Sequence, residues 1–152
     1  MLFAGGMNGA LILDQEQISY DLDVCREISD GYEQAGQYFT AGITGKLKRI
    51  DMGFVNQLDG DGTVYIYEGY ADHGALLQSL SVEVCSEDNG EVNYSSFMVD
   101  VPVTEGSKYT FLFEPNSLTM PDTYCFAAGW PDPYPEGILV PEQAKFGVWN
   151  WR

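Results

Sequence analysis

Histidine and cysteine most often carry nucleophilic catalysis or zinc, and this chain has few of either. Its single histidine, His73, lies in Tyr70-Ala-Asp-His-Gly74, a run of turn-forming residues. Any Ser-His-Asp or Cys-His catalyst would have to use it. No Gly-x-Ser-x-Gly elbow is present, and none of the cysteines has a nucleophile's sequence context. Cys25, Cys85 and Cys125 are far apart, with neither a Cys-x-x-Cys pair nor zinc-ligand spacing. An odd number leaves at least one thiol unpaired within a monomer. The three stand as buried apolar side chains, as one disulfide with a free thiol, or with a bond between chains. Glycoside hydrolysis needs two carboxylates held across a cleft. The 23 Asp and Glu offer many pairs, and none has an apolar context that would raise a pKa. Glu68 comes nearest, sharing a strand face with Val64 and Ile66 at the end of its run. No catalytic residue is assigned, and an enzyme is not expected.

Ligand binding has better candidates. Asp59-Gly-Asp-Gly62, with Asn56 nearby, gathers hard oxygen ligands in what reads as a tight turn. The twelfth position from Asp59 is Tyr70 rather than Glu, so this is not an EF-hand. A structural Ca²⁺ at Asn56, Asp59 and Asp61 is the one cofactor considered, against an ordinary Asp-Gly turn. Tyr65 and Tyr67 share the strand face opposite Val64 and Ile66. Trp130-Pro-Asp-Pro-Tyr134-Pro135 is a proline-stiffened loop with two aromatic rings. Flat rings beside carboxylates suit sugars, whose C–H bonds stack on π faces while their hydroxyls bond to acids. Tyr65, Tyr67, Trp130 and Tyr134 are therefore the glycan-binding candidates. Lys46, Lys48 and Arg49 form the one basic cluster, either gatekeepers of an edge strand or a docking point for an acidic surface.

These residues must be positioned by strands. Alternation of apolar and polar residues is strong from Gln37 onward. Strands are predicted at Tyr38–Thr40, from Gly45 to Phe54, and over Thr63–Tyr67, Leu80–Val84, Phe97–Val103, Tyr109–Phe113, Tyr124–Ala128 and Phe146–Trp149. Ala10–Leu13 reads as a short strand. Turn residues at 58–62, 70–74, 86–90 and 104–107 separate the runs. Residues 15–37 are acidic and poorly patterned, fitting a short helix near Val24–Ile28 or a long loop. Short antiparallel strands with hardly any helical periodicity predict an all-β fold, a single jelly-roll-like sandwich over residues 14–152. Residues 1–13 form an extended N-terminal arm. It is uncharged up to Leu13 and rich in glycine, and its Leu2, Phe3, Leu11, Ile12 and Leu13 fit insertion into another subunit by strand addition.

Several segments resemble a β-sandwich accessory module of large secreted bacterial proteins. Gln37-Tyr-Phe-Thr-Ala-Gly-Ile-Thr-Gly-Lys-Leu-Lys-Arg-Ile50 is similar to that family's opening "QSFTAG–TG–L–I" segment. Asp61-Gly-Thr-Val-Tyr-Ile-Tyr-Glu-Gly69 resembles its "GTL-IYEG" strand, and His73 to Ser79 its "G-LL-S" segment. Val103 to Phe111 resembles "V-AG-YTF", and Asp132-Pro-Tyr-Pro135 its "DPYPGG" loop. The likeness covers roughly residues 35–152 and consists of turns and core positions. It implies a jelly-roll, carbohydrate-binding-module-like fold appended to enzymes, adhesins or surface proteins.

Composition narrows the partners. In 152 residues, 7 Lys and Arg face 23 Asp and Glu, a net charge of −16. Phosphate contacts need clustered cations, so nucleic acid and anionic membranes are not expected partners. No apolar run approaches a membrane span. The first basic residue is Arg26, so the opening does not read as a secretory signal. The expected function is that of a non-catalytic assembly subunit, a capsid cement or decoration protein or an extracellular filament subunit, contacting other protein subunits through its arm. The alternative is a glycan-binding accessory or adhesion module that takes polysaccharide. Either places it at a virion surface or outside the cell.

Overall fold

A computed structural model gives the structure of the chain and describes residues 2–5, 11–15, 22–27, 34–54, 58–70, 73–86, 92–118, 123–128 and 138–141. The described residues are nearly all strand, with no α-helix. The described residues form eleven strands in chain order: β1 Leu2–Gly5, β2 Leu11–Gln15, β3 Leu22–Glu27, β4 Ala35–Thr40, β5 Gly45–Phe54, β6 Leu58–Glu68, β7 Ala75–Ser86, β8 Asn93–Val103, β9 Lys108–Leu118, β10 Thr123–Ala128 and β11 Ile138–Pro141. Every pairing among them is antiparallel. They form two packed sheets, an all-β sandwich.

Sheet B runs β11-β4-β9-β6-β7. Sheet A is organised around β5. β8 lines one edge of β5 along its whole length, from Gly45↔Val103 to Phe54↔Asn93. A strand has two edges, so β1 and β10 share the other. β1 lies opposite Lys46 to Ile50, and β10 meets the same edge at Phe54. β2 adds outside β1, and β3 outside β10. Sheet A therefore has four rows: β8, β5, β1 followed by β10, and β2 followed by β3. The two N-terminal strands, β1 and β2, are laid along this sheet.

Alternation sets the inner faces. On β8, Phe97, Val99, Val101 and Val103 are buried while Met98, Asp100 and Pro102 face solvent. Val64 and Ile66 of β6 and Phe111 and Phe113 of β9 supply the facing layer, against Leu47, Ile50, Met52 and Phe54 of β5. Phe113 sits at the centre. Its ring meets Phe54 edge-on at 5.8 Å and lies parallel to Phe97 at 6.4 Å, tying both sheets together. Burying side chains of this size contributes about 2 kcal/mol each.

One turn fixes one end of the sandwich. The Ser107 amide donates to the Thr104 carbonyl at 3.0 Å, with Gly106 at φ 79°, which makes a type II turn. The Thr104 amide donates to the Tyr109 hydroxyl, satisfying a buried ring's polar tip. The Glu105 amide donates to Thr44 Oγ1, and the Gly106 amide to the Ala41 carbonyl.

Three expectations are corrected. Leu58–Gly62 is not a turn but the first half of β6, because β7 and β9 flank it and pair with its backbone. The helix or loop expected within 15–37 contains strand β3 over Leu22–Glu27, held by pairing to β10 rather than by its own pattern. The basic cluster is not on an edge strand, since β5 is paired on both sides. The strand expected at Phe146–Trp149 lies outside the described residues.

Two glycines test the packing. A Cβ on Gly36 would lie 1.9 Å from the Phe111 carbonyl oxygen, a backbone atom that cannot swing aside. A Cβ on Gly106 would meet open space, leaving only its left-handed backbone to disfavour it. Gly36→Ala should therefore lower unfolding stability by about 3 kcal/mol and Gly106→Ala by about 1 kcal/mol, as read by denaturant titration.

Candidate functional site

The outer face of sheet B carries a tyrosine cluster. Alternation that sends Val64 and Ile66 inward sends Tyr65 and Tyr67 outward, and the same rule on β9 turns Lys108, Thr110, Leu112 and Glu114 to the outer face, where the rings bury Thr110 and Leu112. Register places Tyr67 opposite Thr110 and Tyr65 opposite Leu112, while Tyr38 of β4 meets Thr110 from the other side. Tyr38 and Leu112 are buried, with Tyr65 and Tyr67 packed half-buried against them. The Tyr65 and Tyr67 rings lie 6.4 Å apart at 26°.

A second pair of rings caps one end of this face. Tyr70, exposed in the turn after β6, stacks on Tyr38 at 4.3 Å and 5°. Lys108 Nζ lies 5.2 Å from the Tyr38 ring centre, within cation–π range. The turn is held against β9 by two bonds: Gly69 amide to Lys108 carbonyl, 2.7 Å, and Thr110 Oγ1 to Gly69 carbonyl, 2.6 Å. The second satisfies a fully buried hydroxyl. Burial pushes the Tyr38 phenol above its ordinary pKa, with nearby Lys108 opposing and Tyr70 adding to the rise. Its hydroxyl is buried, and neither neighbour meets it in hydrogen-bonding geometry.

The other end of the face is polar. Glu114 lies opposite Thr63 in register and accepts a hydrogen bond from Gln34 Nε2. Asn116 Nδ2 donates to Thr63 Oγ1 at 3.0 Å. A row of rings thus grades into a carboxylate, an amide and hydroxyls on one surface. That juxtaposition can stack an apolar ring face and bond its rim hydroxyls.

The sequence candidates scatter around this surface. Tyr65 and Tyr67 are on it; Trp130 and Tyr134 lie outside the described residues. Glu114, Thr63, Tyr38 and Tyr70 were missed. The alternation of β9 was the available signal for Glu114, because Thr110, Leu112 and Glu114 share the period that sends Phe111 and Phe113 inward. Tyr70 had no such signal, since a turn decides its stacking.

The calcium candidates sit elsewhere. Asp59 and Asp61 are exposed on β6, with Asp61 opposite Glu83 of β7, and Asn56 lies outside the described residues. No three His, Cys, Asp or Glu side chains gather as a metal set among the described residues. His73 is exposed in its turn, its amide donating to the Tyr70 carbonyl. Glu68 is exposed where β6 ends.

The basic cluster joins two strands instead of guarding an edge. Lys46 at 3.0 Å and Lys48 both pair with Asp100 of β8, holding its carboxyl below the usual range, Lys48 being the larger influence. Arg49 Nε forms an ion pair with Asp51 Oδ1 at 3.1 Å, and the same oxygen accepts a hydrogen bond from Ser96 Oγ at 2.7 Å. Asp51 is the buried acid of β5, and the cation and the hydroxyl donor beside it make its burial tolerable.

The N-terminal candidates occupy sheet A. Leu2 and Phe3 lie in β1, opposite Ile50 and Arg49 of β5, and Leu11, Ile12 and Leu13 lie in β2. β2 has a strand partner on one side only among the described residues.

Comparison of the chain with known protein families, with curated proteins and with solved structures finds no match to any of them. No helix among the described residues is long and apolar enough to cross a membrane.

The Tyr38 shift carries a pH dependence. The folded chain holds the phenol proton to higher pH than the unfolded chain, whose value is near 10. Its contribution is complete below about pH 10 and is lost as pH rises through the folded value. Melting temperature should therefore fall above pH 10, and Tyr38→Phe should make that fall shallower, as measured by thermal scans across pH 8–12.

Proposed function

We propose that the protein is a non-catalytic β-sandwich subunit that assembles with other copies or with a protein scaffold through its N-terminal strands. One observation carries this. The N-terminal segment, uncharged up to Leu13, supplies β1 and β2; β1 attaches to β5 by main-chain pairing and β2 to β1, which leaves β2 at the rim of the described sheet. Main-chain pairing is transferable: the same β1–β5 register can be made with a neighbour's β5, and the edge of β2 that no described strand pairs with can accept a further strand. The net charge of −16 repels neighbours over most of the surface and leaves the N-terminal strands as the gap in that repulsion. Capsid decoration and extracellular filament formation are the two assemblies that fit such a subunit, at a virion surface or outside the cell. Multi-angle light scattering should find the full chain oligomeric and a chain lacking residues 1–15 monomeric with β-sheet circular dichroism. A full chain that stays monomeric at the highest attainable concentration, or a truncated chain that assembles equally, would overturn the reading.

A second reading rests on the tyrosine face. Tyr65 and Tyr67 beside Glu114, Thr63 and Asn116 offer ring faces and hydrogen-bonding groups together, which suits a polysaccharide and agrees with the resemblance to carbohydrate-binding modules. On a polysaccharide affinity gel, Glu114→Gln should weaken retention about tenfold and Tyr65→Ala should abolish it. Wild-type protein that no polysaccharide retards rejects this reading.

A further inference from the structure

We propose that Cys25 and Cys125 form a disulfide across β3 and β10. The two residues lie directly opposite one another in the antiparallel register of these strands, flanked by Val24↔Phe126 and Arg26↔Tyr124. Directly opposed antiparallel residues have Cα atoms about 4.5 or 5.5 Å apart. Both values fall inside the roughly 4.4–6.8 Å that a disulfide spans. Three cysteines allow three pairings, and the topology favours this one. Cys85 lies on β7 of the other sheet, opposite Asp59, and is exposed. It is left as the free thiol.

The bond has mechanical work to do at this place. β3 pairs with β10, and β10 meets the rest of sheet A at Phe126↔Phe54. A covalent staple therefore fixes the strand pair held by the fewest main-chain bonds. It closes a loop of about 100 residues that encloses β4 to β9, where cross-linking removes much of the unfolded chain's freedom. Formation requires a disulfide oxidant such as oxidised glutathione. One cysteine thiolate attacks it, forming a mixed disulfide and releasing one glutathione thiolate. The second cysteine, deprotonated, attacks the protein-bound sulfur and releases the other. The protein loses two protons and two electrons, and the oxidant becomes two glutathione thiols. In a reducing compartment the exchange runs backward and leaves β3 held by its main-chain pairing to β10 alone, so this edge of sheet A is redox-sensitive.

Thiol counting tests the pairing in the folded protein. After equilibration in a glutathione buffer with the reduced form in excess, which leaves a lone thiol uncapped, and alkylation in denaturant, one of the three thiols should be modified. Peptide mapping should find Cys25 joined to Cys125, and reduction should lower the melting temperature by about 10 °C. The variant Cys85→Ser alters an exposed position and keeps the test independent of core folding. Equilibrated in the same buffer, it should show no reactive thiol, carry no glutathione by intact mass and run as a monomer on a non-reducing denaturing gel. Two reactive thiols in that variant, a linkage to Cys85 in the wild type, or a bond only between chains overturns the proposal.

Discussion

β5 offers both of its backbone edges to sheet A, and each edge is taken by strands from distant parts of the chain. β8 fills one edge completely, while β1 and β10, from opposite ends of the sequence, share the other. β2 and β3 can attach only because β1 and β10 are there. The inward face of the same strand supplies Leu47, Ile50, Met52 and Phe54 to the core, with Phe54 against Phe113 of sheet B. Hydrogen bonding within one sheet and packing between the two therefore depend on one ten-residue segment. The buried Asp51 belongs to that dependence: it sits on the central strand with Arg49 and Ser96 meeting its carboxyl group.

This arrangement explains why the basic cluster does not behave as an edge device. Lys46 and Lys48 reach across to Asp100 of β8, on a surface that solvent screens, so their contribution to stability is small. Their geometric effect is more definite. They join the two strands beside the register shift between Leu47 and Arg49, where the ladder itself is irregular.

The two faces of sheet B divide the labour. The inner face is apolar and closes the core with Phe39, Phe111 and Phe113, whereas the outer face keeps tyrosines whose rings pack while their hydroxyls stay polar. A sheet with one buried face could have carried small polar residues outside. Its tyrosine row, the stack of Tyr70 on Tyr38 and the polar end at Glu114 make that surface chemically distinct from the acidic remainder.

Alternation in the sequence determined the strands of the middle of the chain and the side each residue faces. Val64 and Ile66 go in and Tyr65 and Tyr67 go out because a pleated strand has a period of two, whatever its neighbours. Net charge likewise needs no fold to repel phosphate. Tertiary structure alone decided where the pattern is weak or the partner is remote. Leu22–Glu27 is a strand because β10 pairs with it, although its own residues are acidic and irregular. Asp59-Gly-Asp-Gly62 has the composition of a turn and lies in a strand because β7 and β9 supply partners on both sides, outweighing local preference. Cys25 stands opposite Cys125 for the same reason: pairing joins residues far apart in sequence, and no local period encodes which strands become neighbours.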